Sequence, residues 1–123
     1  MKVWLDDVRD PVFHGYVGWV WIKTYEDCIV YLETFWHDIT EISLDHDLGI
    51  LSTLGIPNVI EKTGYDVAKW IEEKVIVHGW RLPVVRVHSA NSVGRKNIEA
   101  ALTNATRFYV AMNVERGVER PQG

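Results

Sequence analysis

Ile42-Ser43-Leu44-Asp45-His46-Asp47-Leu48-Gly49 begins as an apolar run and ends in two carboxylates, a histidine and a glycine turn. It reads as a short buried strand whose tip is acidic. The chain opens in the same manner, with Lys2-Val3-Trp4-Leu5-Asp6-Asp7. A buried charge is costly unless it is paired or binds a metal. Two acid-tipped strands in one small chain therefore suggest carboxylates that converge on a common site, one suited to a divalent cation and a phosphorylated ligand.

Outward from these strands the pattern alternates. Strands are expected over 2–5, 19–22, 41–45 and 84–88, the second carried by Trp19-Val20-Trp21-Ile22 and the fourth opened by Pro83. Thr24, with Asp27 three residues on, is a variant capping box for a helix over 25–37, in which Ile29, Leu32 and Trp36 recur at helical spacing. A second helix follows Gly64, with Val67, Trp70, Ile71 and Val75 on one face and Gly79 as its stop. A third spans 94–106, and 107–114 reads equally as helix or strand. Residues 6–18 and 46–63 read as loops, the latter longer than ordinary connections. Strands separated by helices imply an α/β fold of three layers, with a mostly parallel sheet of about four strands and helices on both faces.

Ligands of such open sheets bind at the carboxyl ends of the strands. That rule gathers Asp6, Asp7, Asp45, His46, Asp47, His88, Ser89 and Asn91 on one edge. Two charges about 4 Å apart repel by roughly 4 kcal/mol at an effective dielectric of 20, a large part of a small domain's stability. The acids must bind a cation, take up a proton, or pair with Lys or Arg. Oxygen ligands suit Mg²⁺, Mn²⁺ or Ca²⁺, and a ligating His46 or His88 shifts the choice toward Mn²⁺. Asp47 either joins the site or caps the turn before Gly49. Arg9 either grips a phosphate or neutralises Asp6 or Asp7. His88, Ser89 and Asn91 either act on a phosphoryl group or form an ordinary turn before a helix. Arg95, in the first turn of that helix, is misplaced for the helix dipole and is read as an anion ligand.

A length of 123 residues fits one domain, drawn here as 1–112 with a polar, flexible tail over 113–123. The single cysteine, Cys28, excludes an internal disulfide and a Cys-rich zinc site. A net charge of −4 disfavours non-specific nucleic-acid binding while leaving room for local basic contacts. No apolar run is long enough to span a membrane, and no signal-peptide core opens the chain, so a cytoplasmic protein is expected. Of six tryptophans, Trp4, Trp21 and Trp70 are expected in the core, and Trp19, Trp36 and Trp80 partly exposed. No Gly-rich nucleotide-binding loop and no nucleophile-elbow motif is present.

Val3-Trp4-Leu5-Asp6-Asp7-Val8-Arg9-Asp10-Pro11, Leu44-Asp45-His46-Asp47-Leu48-Gly49, Gly64-Tyr65-Asp66-Val67 and Val87-His88-Ser89-Ala90-Asn91 together resemble the cyclic-phosphate processing receiver-like family, over roughly residues 2–105. The resemblance implies a reduced receiver- or flavodoxin-like fold and metal-dependent handling of cyclic phosphates, at RNA 2′,3′-cyclic ends or in cyclic nucleotides, with a link to RNA repair. It makes Asp6 and Asp7 the acidic metal pair and Asp45 the counterpart of the receiver phosphoacceptor. The chain departs from receivers in a first connection too short for a helix, in His88-Ser89 where one Ser or Thr is usual, and in lacking an evident fifth strand ending in Lys. Phospho-aspartate signalling is therefore not expected. The leading expectation is a metal-dependent phosphoesterase. In it Asp6, Asp7, Asp45 and Asp47 hold Mg²⁺ or Mn²⁺, Asp45, His46 and His88 do the chemistry, and Arg9, Ser89, Asn91 and Arg95 bind phosphate. The rivals are a phosphate- or nucleotide-binding module without turnover, and a partner-binding scaffold using Trp36 or Trp80.

Overall fold

The computed structural model describes residues 1–48 and 62–115. Four strands, β1 (Lys2–Leu5), β2 (Val20–Ile22), β3 (Glu41–Leu44) and β4 (Val84–Val87), form one sheet in the order β2-β1-β3-β4. Every pair is parallel. Between and after them, the described residues form three α-helices, α1 (Tyr25–Phe35), α2 (Gly64–Ile76) and α3 (Ser92–Glu115). This is the parallel α/β arrangement that the alternating pattern implies. Most of the connection expected over 46–63 lies outside the described residues, as does the tail from 116 onward.

Alternation along the strands sorts the sheet into two faces. Val3, Leu5, Ile22, Ile42 and Leu44 point to one of them. There they join Leu32, Val67, Ile71, Ile98 and Ala105 from the helices in one buried core. Trp4, Ser43 and Arg86 share the other face, in register across β1, β3 and β4. Among the described residues no full helix covers that face. Its cover is the β1–β2 connection, whose 3-10 turn (Pro11–His14) brings His14, Tyr16 and Trp19 around Trp4. Lys2, Glu41 and Arg86 line its far end as a loose ion-pair row at 3.8 and 3.9 Å.

Local chemistry sets the helix ends. Thr24 caps α1 by accepting from the Asp27 amide at 3.1 Å. Thr63 and Asp66 form a reciprocal capping box on α2. Gly64 sits where α2 meets the end of β3: a Cβ there would lie 1.9 Å from the Asp45 carbonyl oxygen. Beyond α2, Gly79 takes a left-handed φ of 69°.

Residues 107–114, which read equally as helix or strand, are helical and continue α3 past position 112, with Phe108 and Tyr109 packed against the core. One expectation is corrected. Trp36 is buried at 3 % exposure, its indole N–H donating to the Arg81 carbonyl at 2.8 Å and its ring packed on Trp70 and Trp80. It is unavailable to a partner.

Candidate functional site at the strand tips

Register decides which side chains meet. Leu5, Leu44 and Val87 are level across β1, β3 and β4. The ladder continues one residue further, since Asp6 N–H donates to Ile22, Asp45 N–H to Leu5 and His88 N–H to Leu44, at 2.9–3.0 Å. Asp6, Asp45 and His88 are therefore level, and alternation turns all three toward the face of Trp4 and Ser43. One ligand atom from each lies within 4.8 Å of the others.

The contacts of this group are specific. Asp6 is 1 % exposed, and its Oδ1 accepts the Val8 and Arg9 amides at 2.8 Å each. Its Oδ2 accepts from His88 Nε2 at 3.1 Å. A carboxylate only accepts, so Nε2 carries the proton and His88 Nδ1 accepts from the Ser43 hydroxyl at 2.7 Å. The His88 ring stacks on Trp4, centroids 3.7 Å apart and planes within 7°. Ser43 can also accept from Nδ1, so it supports either tautomer of the ring.

A second string of polar groups runs along the lip. Ser89 donates to Asp45 and accepts the Asn91 amide at 3.1 Å. Asn91 caps α3 through the Gly94 amide at 3.0 Å and donates to Asp47 at 3.3 Å. Asp47 Oδ1 meets His46 Nδ1 at 2.9 Å. The His46 ring lies against the first turn of α3, where a Cβ on Gly94 would come within 2.3 Å of it.

The structure thus brings together Asp6 and Asp45 with His88 rather than with Asp7 and Asp47. Asp47 is exposed and pairs with His46; Asp7 is half-buried where the chain turns away from β1. Arg9 stands 3.9 Å from Asp6 Oδ2, at the limit of an ion pair, with 41 % of its side chain exposed. It lines a cavity of about 370 Å³ with Trp4, Tyr16, His88 and Ser89. Arg95 pairs with Glu99 at 3.0 Å and faces a different groove.

Electrostatics mark the group as under-neutralised. Burial, and then the nearby Asp6 charge, push the Asp45 carboxyl up from 3.8 to about 6, against the pull of the Asp47 amide, Ser89 and Arg9. Burial holds His88 below its ordinary value although Asp6 favours its charged form, so the ring is neutral at pH 7. Hydrogen bonding to His46 holds Asp47 below the usual carboxylate range. Two buried carboxyl groups and a neutral imidazole in this space form a donor set that fits a divalent cation of the Mn²⁺ or Mg²⁺ class. The core can sustain such a site: burying each of Leu5, Leu32, Leu44 and Ile71 is worth about 1.5–3 kcal/mol.

Trp4 and Ser43 were not singled out from the sequence as site residues. Both precede a tip acid by two positions, and Ser43 is a buried polar residue between Ile42 and Leu44. That parity is the signal that would have found them.

No curated protein and no solved structure gives a match to the chain. A family model described as a Cyclic-phosphate processing Receiver domain matches residues 1–104, from β1 into α3, and so takes in every tip residue described above. The chain belongs to the cyclic-phosphate processing receiver family.

Proposed function

We propose that this receiver domain opens cyclic phosphate esters at the tips of β1, β3 and β4, with a divalent cation held by Asp6, Asp45 and His88. The observation that carries the reading is the convergence of these three donors within 4.8 Å on level strand ends. When bound, such an ion polarises phosphoryl oxygens and makes a bound water more acidic. Arg9, in its cavity beside His88 and Ser89, binds the phosphate. Asp47, held ionised by His46, fixes the proton on Nδ1 and leaves Nε2 as the basic nitrogen. His46 Nε2 takes a proton from the attacking water as its oxygen bonds to phosphorus. The ring P–O bond breaks, its electron pair leaves with oxygen, and the proton passes to that oxygen. The product is a phosphomonoester.

The test is turnover of 2′,3′-cyclic, 3′,5′-cyclic and linear phosphodiesters with Mg²⁺, Mn²⁺ or EDTA, followed by phosphorus NMR. Cyclic substrates should open with a metal and not with EDTA, and Asp45→Asn should fall to background. No turnover by the wild type with any metal would sink the reading.

A second reading, binding of the cyclic phosphate without turnover, draws on the closed hydrogen-bonding of Asp6. Both its oxygens are already occupied, by Val8, Arg9 and His88. Calorimetric binding without product would favour it.

A further inference from the structure

We infer that the groove between the outer edge of β4 and α3 holds the sugar-phosphate chain of a single-stranded RNA, whose end reaches the acidic tips. The inference rests on the cyclic-phosphate reading for what lies at the groove's end, and on the groove's own chemistry for what lies along it. Among the described residues β4 pairs with β3 alone. Beyond its open edge lies a groove of about 690 Å³ lined by Arg86, Arg95, Arg107, Thr103, Thr106 and Tyr16. Tyr16 and His88 line both this groove and the smaller cavity of Arg9, so the two are continuous with the tips.

Charge selects the occupant. Three arginines face one acid in the lining, Glu99, in a chain whose net charge is −4. Glu99 meets Arg95 at 3.0 Å with both side chains about half exposed, and Arg86 is 3.9 Å from Glu41, so these arginines are weakly held. Arg95 and Arg107 are twelve residues apart on one helix, about 18 Å, a span longer than one nucleotide. A stripe of that length fits a repeating polyanion better than a single phosphate.

The threonines favour ribose. Thr103 and Thr106 donate their hydroxyl hydrogens to the Glu99 and Leu102 carbonyls, at 2.8 Å each. Their oxygens remain as acceptors, which suits a 2′-hydroxyl and not a phosphate. Tyr16, 38 % exposed, offers a ring where groove and tips meet. A second copy of the chain on the β4 edge is disfavoured, because a two-fold contact would set the arginines of one copy against those of the other.

The experiment is fluorescence anisotropy with a labelled ten-nucleotide RNA and its DNA counterpart, alongside a 2′,3′-cyclic mononucleotide followed by calorimetry. Wild-type protein should bind RNA more tightly than DNA or mononucleotide, and less tightly as salt rises. In the doubly substituted Arg86→Gln/Arg107→Gln protein, RNA affinity should fall about tenfold and the salt slope by about 1.4. RNA binding no tighter than mononucleotide, or unaltered in the double variant, would overturn the inference. So would a stable dimer that RNA does not displace. If the mononucleotide is neither bound nor opened while RNA binding still depends on salt and these arginines, the cyclic-phosphate reading fails and the groove stands. Mononucleotide opening with no gain from a longer strand gives the reverse result.

Discussion

Replacing Asp45 by asparagine removes one of two neighbouring buried carboxylates while keeping its shape and its contacts with Ser89 and the Asp47 amide. Burial and the Asp6 charge raise the folded-state pKa of Asp45 from 3.8 to about 6. At 1.36 kcal/mol per pH unit, ionising it in the folded protein costs at most about 3 kcal/mol. The folded state binds more protons than the unfolded state between these values. Wild-type stability from this group is therefore fully present below pH 3.8 and is lost as pH rises through about 6. Asparagine has no such dependence. His88, shifted downward, contributes the opposite slope in both proteins and cancels in their difference.

Asp45→Asn should accordingly match the wild type near pH 4 and exceed it by up to about 3 kcal/mol at pH 8, a Tm gain of about 10 °C. Guanidinium titrations at pH 4, 6 and 8 in EDTA measure this. An asparagine variant less stable than wild type at pH 8, or a difference that does not vary with pH, would refute the electrostatic account of the tips. Addition of Mn²⁺ should reverse the ranking, raising the Tm of the wild type and not of the variant, because only the folded wild type keeps the full donor set. Function would then be maintained at a cost in metal-free stability.

Three further outcomes follow from contacts. Gly64→Ala forces a Cβ into the Asp45 carbonyl and should destabilise the fold by about 1–3 kcal/mol or more, read by chemical denaturation. Gly94→Ala displaces the His46 ring and should reduce cyclic-ester turnover while metal-induced stabilisation persists; equal turnover in the two proteins would remove His46 from the chemistry. Cys28 is fully buried, its thiol pushed up to about 12, so a thiol reagent should label it only in denaturant.

Sheet and tips were legible for one reason: each strand is an apolar run that ends abruptly in polar groups, and parallel topology aligns such ends. Asp6, Asp45 and His88 could be placed on one edge because each directly follows its strand. Asp7 and Asp47 could not be sorted from their neighbours by spacing, since beyond the last ladder bond the chain turns and parity stops predicting direction. Arg95 opposes the helix dipole, but its i,i+4 partner Glu99 gives it a local role that its position in the first turn does not announce. The cover of the second face, through His14, Tyr16 and Trp19, comes from a connection without periodicity, so no pattern announced it. Residues 107–114 are helix where Phe108 and Tyr109 pack against the core, a tertiary cause that no local window contains.

The short β1–β2 connection links these features. Parallel neighbours need a crossover of about a dozen residues, and a helix normally fills it. Here residues 6–19 supply one 3-10 turn, and among the described residues aromatic side chains rather than a helix cover the face of Trp4. His88 can then lie flat on Trp4 while reaching Asp6 at 3.1 Å and Ser43 at 2.7 Å, which places an imidazole among the tip acids. The same thin cover lets Tyr16 and His88 border the Arg9 cavity and the β4 groove at once. This thin cover thus both sets an imidazole among the tip acids and leaves a lateral approach to them, and the proposed handling of a phosphate at the end of a long chain would use both.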